Sequence, residues 1–335
     1  MSASPATFPY AASPFDHPQA DIILRSSDNI DFRVFKLFLS LASPVFETMF
    51  SLPQPSEGVD PDEETKDGLP VVTVSEGSKT LDALLRFCYP STLAEDPSLD
   101  GFMFATEILE AAKKYSLDAI ERIVCKALFI PKILEVDSLS CFAVARRADL
   151  REQCVLAAKY SLREPLIPAR FEGIHFISST DLLGLLTYHK HCANAVLVLQ
   201  SNLVWIQNHY QQFGAISWLF GCGLPHSGSP SRSSKYQLFG NDVASWWVEF
   251  MDNTFMEIRD RPCAQTVEKG AEEAIRKFRA QYQGQCSRCS PAVSGGIQEF
   301  VTLFTNKIEE VTAKVSSIPF ASCQPLHRCR RSSYS

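Results

Sequence analysis

The sequence predicts an α+β fold, in which a small mixed sheet is flanked by helices, followed by a mainly α-helical C-terminal region. Two observations predict the first part. Residues 20–52 change from an alternation of period two to helical spacing, and residues 71–89 contain a strand pattern followed by a helix pattern. The third observation is that apolar residues recur at helical spacing through most of the chain after residue 131.

The first two strands are predicted from a short apolar run and an alternating segment. The run at residues 22–24 ends in the turn-forming residues 26–29. After the turn, Ile30, Phe32 and Val34 alternate with charged residues, which is the period of a half-buried strand. The two segments together predict a β-hairpin.

Two short helices follow the hairpin. Helical spacing begins at Phe35, and Ser43 predicts an N-cap because its side chain can accept a backbone N–H bond. Pro44 suits the first helical position, where a missing N–H costs least. The apolar positions of the two helices are Leu37, Phe38, Leu41, Val45, Phe46, Met49, Phe50 and Leu52.

A third strand and three further helices complete this part of the pattern. Val72 and Val74 indicate the strand, and the helix after it ends at Tyr89-Pro90, because a residue before proline disfavours the helical conformation. Two more helices follow at residues 104–115 and 117–128, each with one apolar face. The order is therefore a hairpin, a pair of helices, a strand and three helices.

This order resembles the BTB/POZ domain over about residues 18–130. The segments that carry the resemblance are Asp21 in the first strand, Leu-Ala-Ser-Pro-Val-Phe-Glu-Thr-Met-Phe at 41–50 and Leu-Leu-Arg-Phe-Cys-Tyr at 84–89. The second strand leads into Phe35-Lys36, where the family usually has His-Lys. Met-Phe-Ser-Leu-Pro-Gln-Pro at 49–55 is most similar to a large group of fungal BTB proteins.

The resemblance implies protein–protein interaction rather than catalysis. BTB domains commonly self-associate through exposed apolar residues of their first helices, which predicts an oligomerising scaffold or regulatory adaptor. The alternative is a substrate adaptor of a cullin-type ubiquitin ligase. Such adaptors carry a hydrophobic-x-Glu element after the second helix, and residues 51–57 depart from it. The residues that the resemblance assigns to interaction are Leu37, Phe38, Leu41, Phe46, Met49 and Phe50.

Composition and periodicity divide the chain into five segments. An acidic flexible loop is predicted at residues 53–69, which contain six acidic residues and one lysine. Whether residues 131–320 form one domain or two stays open. The segments are a disordered N-terminal arm at 1–17, the BTB/POZ domain at 18–130, a helical extension at 131–215, a helical C-terminal region with cysteine-containing loops at 216–320, and a disordered basic tail at 321–335.

Net charge and hydropathy exclude several classes of partner. The formal net charge is −6, so no basic excess predicts binding to nucleic acid. No apolar run reaches the ~18–20 residues needed to cross a bilayer, and the N-terminus lacks the pattern of a signal peptide. We therefore expect protein partners, no membrane contact, and a cytoplasmic or nuclear location in which the 11 cysteines stay reduced.

The segment Cys286-Ser287-Arg288-Cys289 is the main candidate for metal chemistry. Two thiolates at this spacing form one edge of a tetrahedral zinc site, and Cys222, His226 or Cys263 are the nearest suppliers of further ligands. Free thiols are the commoner outcome for a single C-x-x-C pair, so we expect no cofactor. The alternatives are a structural zinc ion at Cys222, Cys286 and Cys289, and a redox dithiol, for which the βαβ context is missing.

Several enzyme signatures are absent from the sequence. There is no G-x-S-x-G, no Walker loop, no dinucleotide-binding glycine-rich turn and no H-E-x-x-H. We therefore predict that the protein is not an enzyme. The remaining alternative is a hydrolase that uses distant cysteine and histidine residues, because catalytic triads are spatial rather than sequential arrangements.

Overall fold

The computed structural model describes residues 8–51, 64–167, 170–171, 173–220, 231–282 and 289–315. The chain divides into two compact units, one of residues 1–154 and 172–176 and one of residues 155–171 and 177–335. Residues 131–154 and 172–176 of the predicted helical extension therefore belong to the first unit, and its other residues belong to the second.

A four-stranded mixed sheet lies in the first unit. Strand β1 (Ile22–Arg25) pairs antiparallel with β2 (Asp31–Val34) and parallel with β4 (Leu69–Thr73), which in turn pairs antiparallel with β3 (Thr65–Lys66). The order is β2-β1-β4-β3. The predicted hairpin and the strand at Val72 are thus confirmed.

Strand β3 and its turn were not predicted. Asp67 and Gly68 form the turn between β3 and β4 with φ angles of 53° and 75°. An Asp-Gly pair is a common hairpin turn, because glycine adopts a positive φ without steric cost. Most of the predicted acidic loop at 53–69 lies outside the described residues, and residues 64–69 belong to this hairpin instead.

The segment before the sheet covers the edge of β2. Asp31 donates its backbone N–H to Pro9 O at 2.9 Å, and Arg33 donates to Phe15 O at 2.9 Å. Phe15 is fully buried, with its ring centroid 5.3 Å from that of Tyr89. Residues 8–17 of the predicted disordered arm are therefore ordered against the sheet. Their isolated bridges have no period, which is why the sequence pattern did not reveal them.

A buried ion-pair network joins residues of strands β1, β2 and β3. Asp31 is fully buried and accepts hydrogen bonds from Arg25 Nε at 2.6 Å and from Lys66 Nζ at 2.7 Å. Arg25 is also buried and pairs with Glu64. Burial is the largest single influence on the pKa of Asp31 and raises it. The hydrogen bonds from Arg25 and Lys66 outweigh burial together, so the pKa of Asp31 lies below its usual value.

Seven α-helices of the described residues surround this sheet or continue from it. Each predicted helix of the first 130 residues is confirmed, and Asp137 at the N-cap of the seventh helix accepts a hydrogen bond from Ser140 N at 3.0 Å. The helices are α1 (Lys36–Ala42), α2 (Pro44–Ser51), α3 (Ser78–Cys88), α4 (Phe102–Lys114), α5 (Asp118–Leu128), α6 (Pro131–Val136) and α7 (Ser138–Arg147).

The second unit is helical apart from one hairpin. The hairpin of β5 (Arg232–Leu238) and β6 (Asn241–Ala244) falls partly in the segment at 221–240 whose composition indicates a loop. Its turn at Phe239-Gly240 has positive φ angles. The helices are α8 (Arg151–Tyr160), in which the unit begins, α9 (Ser179–Ser201), α10 (Val204–Tyr210), α11 (Ser245–Ile258), α12 (Ala264–Tyr282) and α13 (Cys289–Lys314).

An aromatic core holds the second unit together. The last helix, α13, contributes Phe300 and Phe304, both fully buried. The ring of Phe300 lies 5.6 Å from that of Trp247, and the ring of Phe304 lies 5.2 Å from that of Trp205. The apolar stripe of α13 therefore packs within its own unit. None of the helices in the described residues is both long and apolar enough to span a bilayer.

Candidate interaction surface

The pair α1 and α2 is held in place by one serine between them. Ser43 is buried, and its Oγ accepts hydrogen bonds from Val45 N and Phe46 N at 3.1 Å each. The same hydroxyl donates to Tyr115 O at the end of α4. The predicted N-cap at Ser43 is confirmed, and it also anchors the helix pair to the rest of the unit.

Two of the six predicted interaction residues are strongly exposed. Leu37 is 63% exposed and Leu41 is 78% exposed. The two residues are four positions apart on α1 and therefore lie on the same side of the helix. Covering one exposed leucine contributes ~1.5–3 kcal/mol, so this side of α1 is an apolar surface that gains stability when a partner removes it from water.

Three more of the predicted residues are partly exposed, on both helices. Phe38 packs edge-on against Tyr89, with ring centroids 4.9 Å apart. Met49 and Phe50 lie at the end of α2, where Lys36 Nζ is 5.9 Å from the Phe50 ring centroid. These side chains can extend the apolar surface of α1 toward α2.

Phe46 differs from the other five residues. It is only 3% exposed and stacks on Tyr115, with ring centroids 4.7 Å apart and an interplanar angle of 14°. The sequence correctly places Phe46 on the apolar face of α2. At this position, however, the face packs against the core and is not exposed to solvent. The expectation that Phe46 contributes to an exposed surface is therefore corrected, and Phe46 is a packing residue.

Burial makes four of the cysteines in the described residues poor nucleophiles. It raises the pKa of Cys88 and Cys141 to about 12, and the pKa of Cys125 and Cys192 to about 11. A thiolate is the reactive form of cysteine, and at neutral pH these side chains remain thiols. The alternative of a cysteine-dependent enzyme finds no support at these four positions.

Two of the three predicted zinc ligands, Cys222 and Cys286, lie outside the described residues. Cys222 and Cys286 fall in the segments 221–230 and 283–288, and Cys289 is described only as the first residue of α13. Cys263 is half-buried, with its Sγ 3.5 Å from Thr266 Oγ1. Within the ranges that the structure describes, no three His, Cys, Asp or Glu side chains are grouped to hold a metal ion.

Comparison with known proteins identifies the first unit. Residues 14–129 match the family model of the BTB/POZ domain. The match covers β1 to β4 and α1 to α5, including the exposed leucines of α1. A search of curated proteins found no match to this chain.

Proposed function

We propose, from the premise that residues 14–129 form a BTB/POZ domain, that the protein is an oligomerising scaffold or regulatory adaptor that self-associates through α1 and α2. BTB domains mediate interactions between proteins, and the mainly helical second unit would then be the part that each copy presents to other partners. The cytoplasm or the nucleus is the location that we propose.

The observation that carries this proposal is the exposure of Leu37 and Leu41. Leu41 is 78% exposed, so burial within its own domain contributes almost no free energy from this side chain. Both residues lie on a short helix whose position is fixed by Ser43 and by the packing of Phe38 on Tyr89. A rigid apolar surface of this kind loses little conformational entropy when a second copy covers it.

Replacing Leu37 and Leu41 together with lysine is expected to weaken self-association by about 100-fold or more, because two apolar contacts are lost and like charges meet across the interface. Sedimentation equilibrium of the full-length protein measures the dissociation constant. The matched control is Val136→Lys, since Val136 is an exposed apolar residue of the same unit on α6, 81% exposed. An equal loss in both variants would refute the assignment of the surface.

A cullin adaptor is the alternative function. It depends on the segment at 51–57, of which the structure describes only Ser51, the last residue of α2. The sequence of this segment departs from the hydrophobic-x-Glu element, and this departure favours the scaffold over the cullin adaptor. A cullin that copurifies with the wild-type protein and not with the Leu37→Lys, Leu41→Lys variant would make the adaptor the better proposal.

Purified full-length protein is expected to carry no stoichiometric zinc, because a single C-x-x-C pair supplies only two of the ligands of a tetrahedral site. Elemental analysis of protein prepared without chelators measures this directly. A content of about one zinc per chain, lost when Cys286 and Cys289 are replaced with serine, would contradict this expectation and establish a structural zinc site.

A further inference from the structure

A groove of about 780 Å³ runs between α11 and α12 in the second unit. Its size lies within the ~300–1,000 Å³ that is usual for pockets that bind small molecules. Neither the BTB/POZ domain nor the proposed self-association uses this groove, so it requires its own explanation.

The floor of the groove is apolar. Trp246 and Phe250 from α11 face Ala274 and Phe278 from α12. The rings of Trp246 and Phe278 are 5.2 Å apart, so this end of the floor is lined by aromatic surface. A ligand with an apolar body can replace water over these side chains.

Two residues that line the groove carry buried polar atoms without a hydrogen-bond partner in the described residues. These are Trp246 Nε1, which can only donate, and Thr254 Oγ1. A Cβ atom on Gly270 would lie 2.5 Å from Thr254 Oγ1, so only glycine lets the two helices approach this closely. Buried polar atoms without a partner are uncommon in folded proteins.

The two ends of the groove differ in charge. Around the aromatic end, Lys277 pairs with Glu249 at 3.0 Å and lies 3.8 Å from Glu273, so two acidic groups surround one cation. The other end is lined by Arg261, Lys269 and Glu257. Glu257 pairs with Arg261 at 3.3 Å, so Lys269 supplies the positive charge at this end that no acidic group of the described residues pairs with.

We propose that this groove binds an amphipathic organic anion, a small molecule with an apolar body and a carboxylate or similar acidic group. The apolar body covers Phe250, Ala274 and Phe278, and the acidic group lies at the end formed by Arg261 and Lys269. The opposite orientation would place the anion between Glu249 and Glu273, and a cationic ligand would be repelled from the Lys269 end.

Cys263 allows the proposal to be tested at one position. This half-buried cysteine lines the cationic end of the groove, so an occupant shields its thiol. We expect octanoate to slow the alkylation of Cys263 by iodoacetamide in the full-length protein, as followed by peptide mass spectrometry. Glutathione added to the same mixture serves as the control, because octanoate should not change the rate at which its thiol is alkylated. Octan-1-ol, which has the same chain without the charge, should protect Cys263 much less.

The variants test the charge directly. Lys269→Glu should raise the octanoate concentration for half-protection about tenfold or more, because an attraction becomes a repulsion. Arg259→Glu makes the same change of charge at an exposed position that does not line the groove, and it should have no effect. Both variants replace exposed side chains, so folding is preserved. The proposal is overturned if octanoate slows the alkylation of Cys263 no more than that of glutathione, if octan-1-ol protects Cys263 equally well, or if the two variants behave alike.

Discussion

Replacing Asp31 with alanine is expected to destabilise the BTB/POZ domain by about 3–5 kcal/mol. Asp31 is fully buried and is the shared acceptor for Arg25 and Lys66. Arg25 is itself only 3% exposed, so loss of the carboxylate leaves a guanidinium in the interior with Glu64 as its remaining acidic partner. An uncompensated buried charge costs far more than the lost ion pair contributes.

Urea unfolding followed by far-ultraviolet circular dichroism measures this effect. The matched control is Asp82→Ala, which removes an ion pair of similar length, 2.6 Å, between Asp82 and Arg86 on the surface of α3. Partly exposed pairs spaced in this way on a helix contribute about 0.3–0.5 kcal/mol. A loss of less than about 1 kcal/mol for Asp31→Ala would contradict the view that this network stabilises the domain.

The same network makes stability depend on pH in a predictable direction. The pKa of Asp31 is lower in the folded than in the unfolded chain, where it is about 3.9. Its contribution is therefore fully present above about pH 4 and is lost as the pH falls through the folded pKa. The difference in unfolding free energy between wild type and Asp31→Asn should narrow as the solution is acidified below about pH 4. A constant difference would contradict a pKa of Asp31 that is lower in the folded chain than in the unfolded chain.

Replacing Gly296 with alanine is expected to destabilise the second unit by about 2–3 kcal/mol, because the interior resists added volume. A Cβ atom at this position would lie 2.3 Å from Trp218 Nε1 and 2.4 Å from two further indole atoms. The Trp218 ring is buried in the aromatic core, so a shift of the ring would disturb its packed neighbours. Residue 296 therefore has to be glycine for α13 to pack at this distance.

Gly295→Ala is the matched control for this prediction. Gly295 is adjacent on α13, and a Cβ atom there would meet nothing within 4 Å. Alanine should stabilise the helix by about 0.5–1 kcal/mol, since glycine loses more backbone entropy on folding. All 4 tryptophans of the chain belong to the second unit, so tryptophan fluorescence during urea unfolding reports on that unit. A Gly296→Ala protein as stable as Gly295→Ala would contradict the close packing of Trp218.

Local patterns predicted most elements of the first unit. The Ser43-Pro44 pair marks the start of α2, and the hairpin of β1 and β2 follows from alternation and a turn, since these signals act over a few residues. Asp67-Gly68 was an available turn signal that the acidic composition around it obscured. The ordering of residues 8–17 could not be predicted, because it depends on the free edge of β2 and on a core position for Phe15.

Which apolar residues of α1 and α2 are exposed could not be predicted from the sequence, because it depends on tertiary packing. The sequence places both Phe46 and Leu41 on apolar helix faces. The structure shows that Phe46 is buried against Tyr115, whereas Leu41 is exposed. The groove between α11 and α12 was not predicted, because Gly270, Thr254 and Trp246 are distant in sequence and become related only where two helices cross. The periodicity of apolar residues predicts local secondary structure and does not predict contacts between distant segments.

Self-association through the BTB/POZ domain is the central claim, and the absolute mass of the full-length protein tests it most directly. Light scattering across a range of protein concentrations should give at least twice the mass of one chain for the wild type. The Leu37→Lys, Leu41→Lys variant should return the mass of one chain at the same concentrations. A wild-type mass equal to that of a single chain at every concentration would contradict the claim.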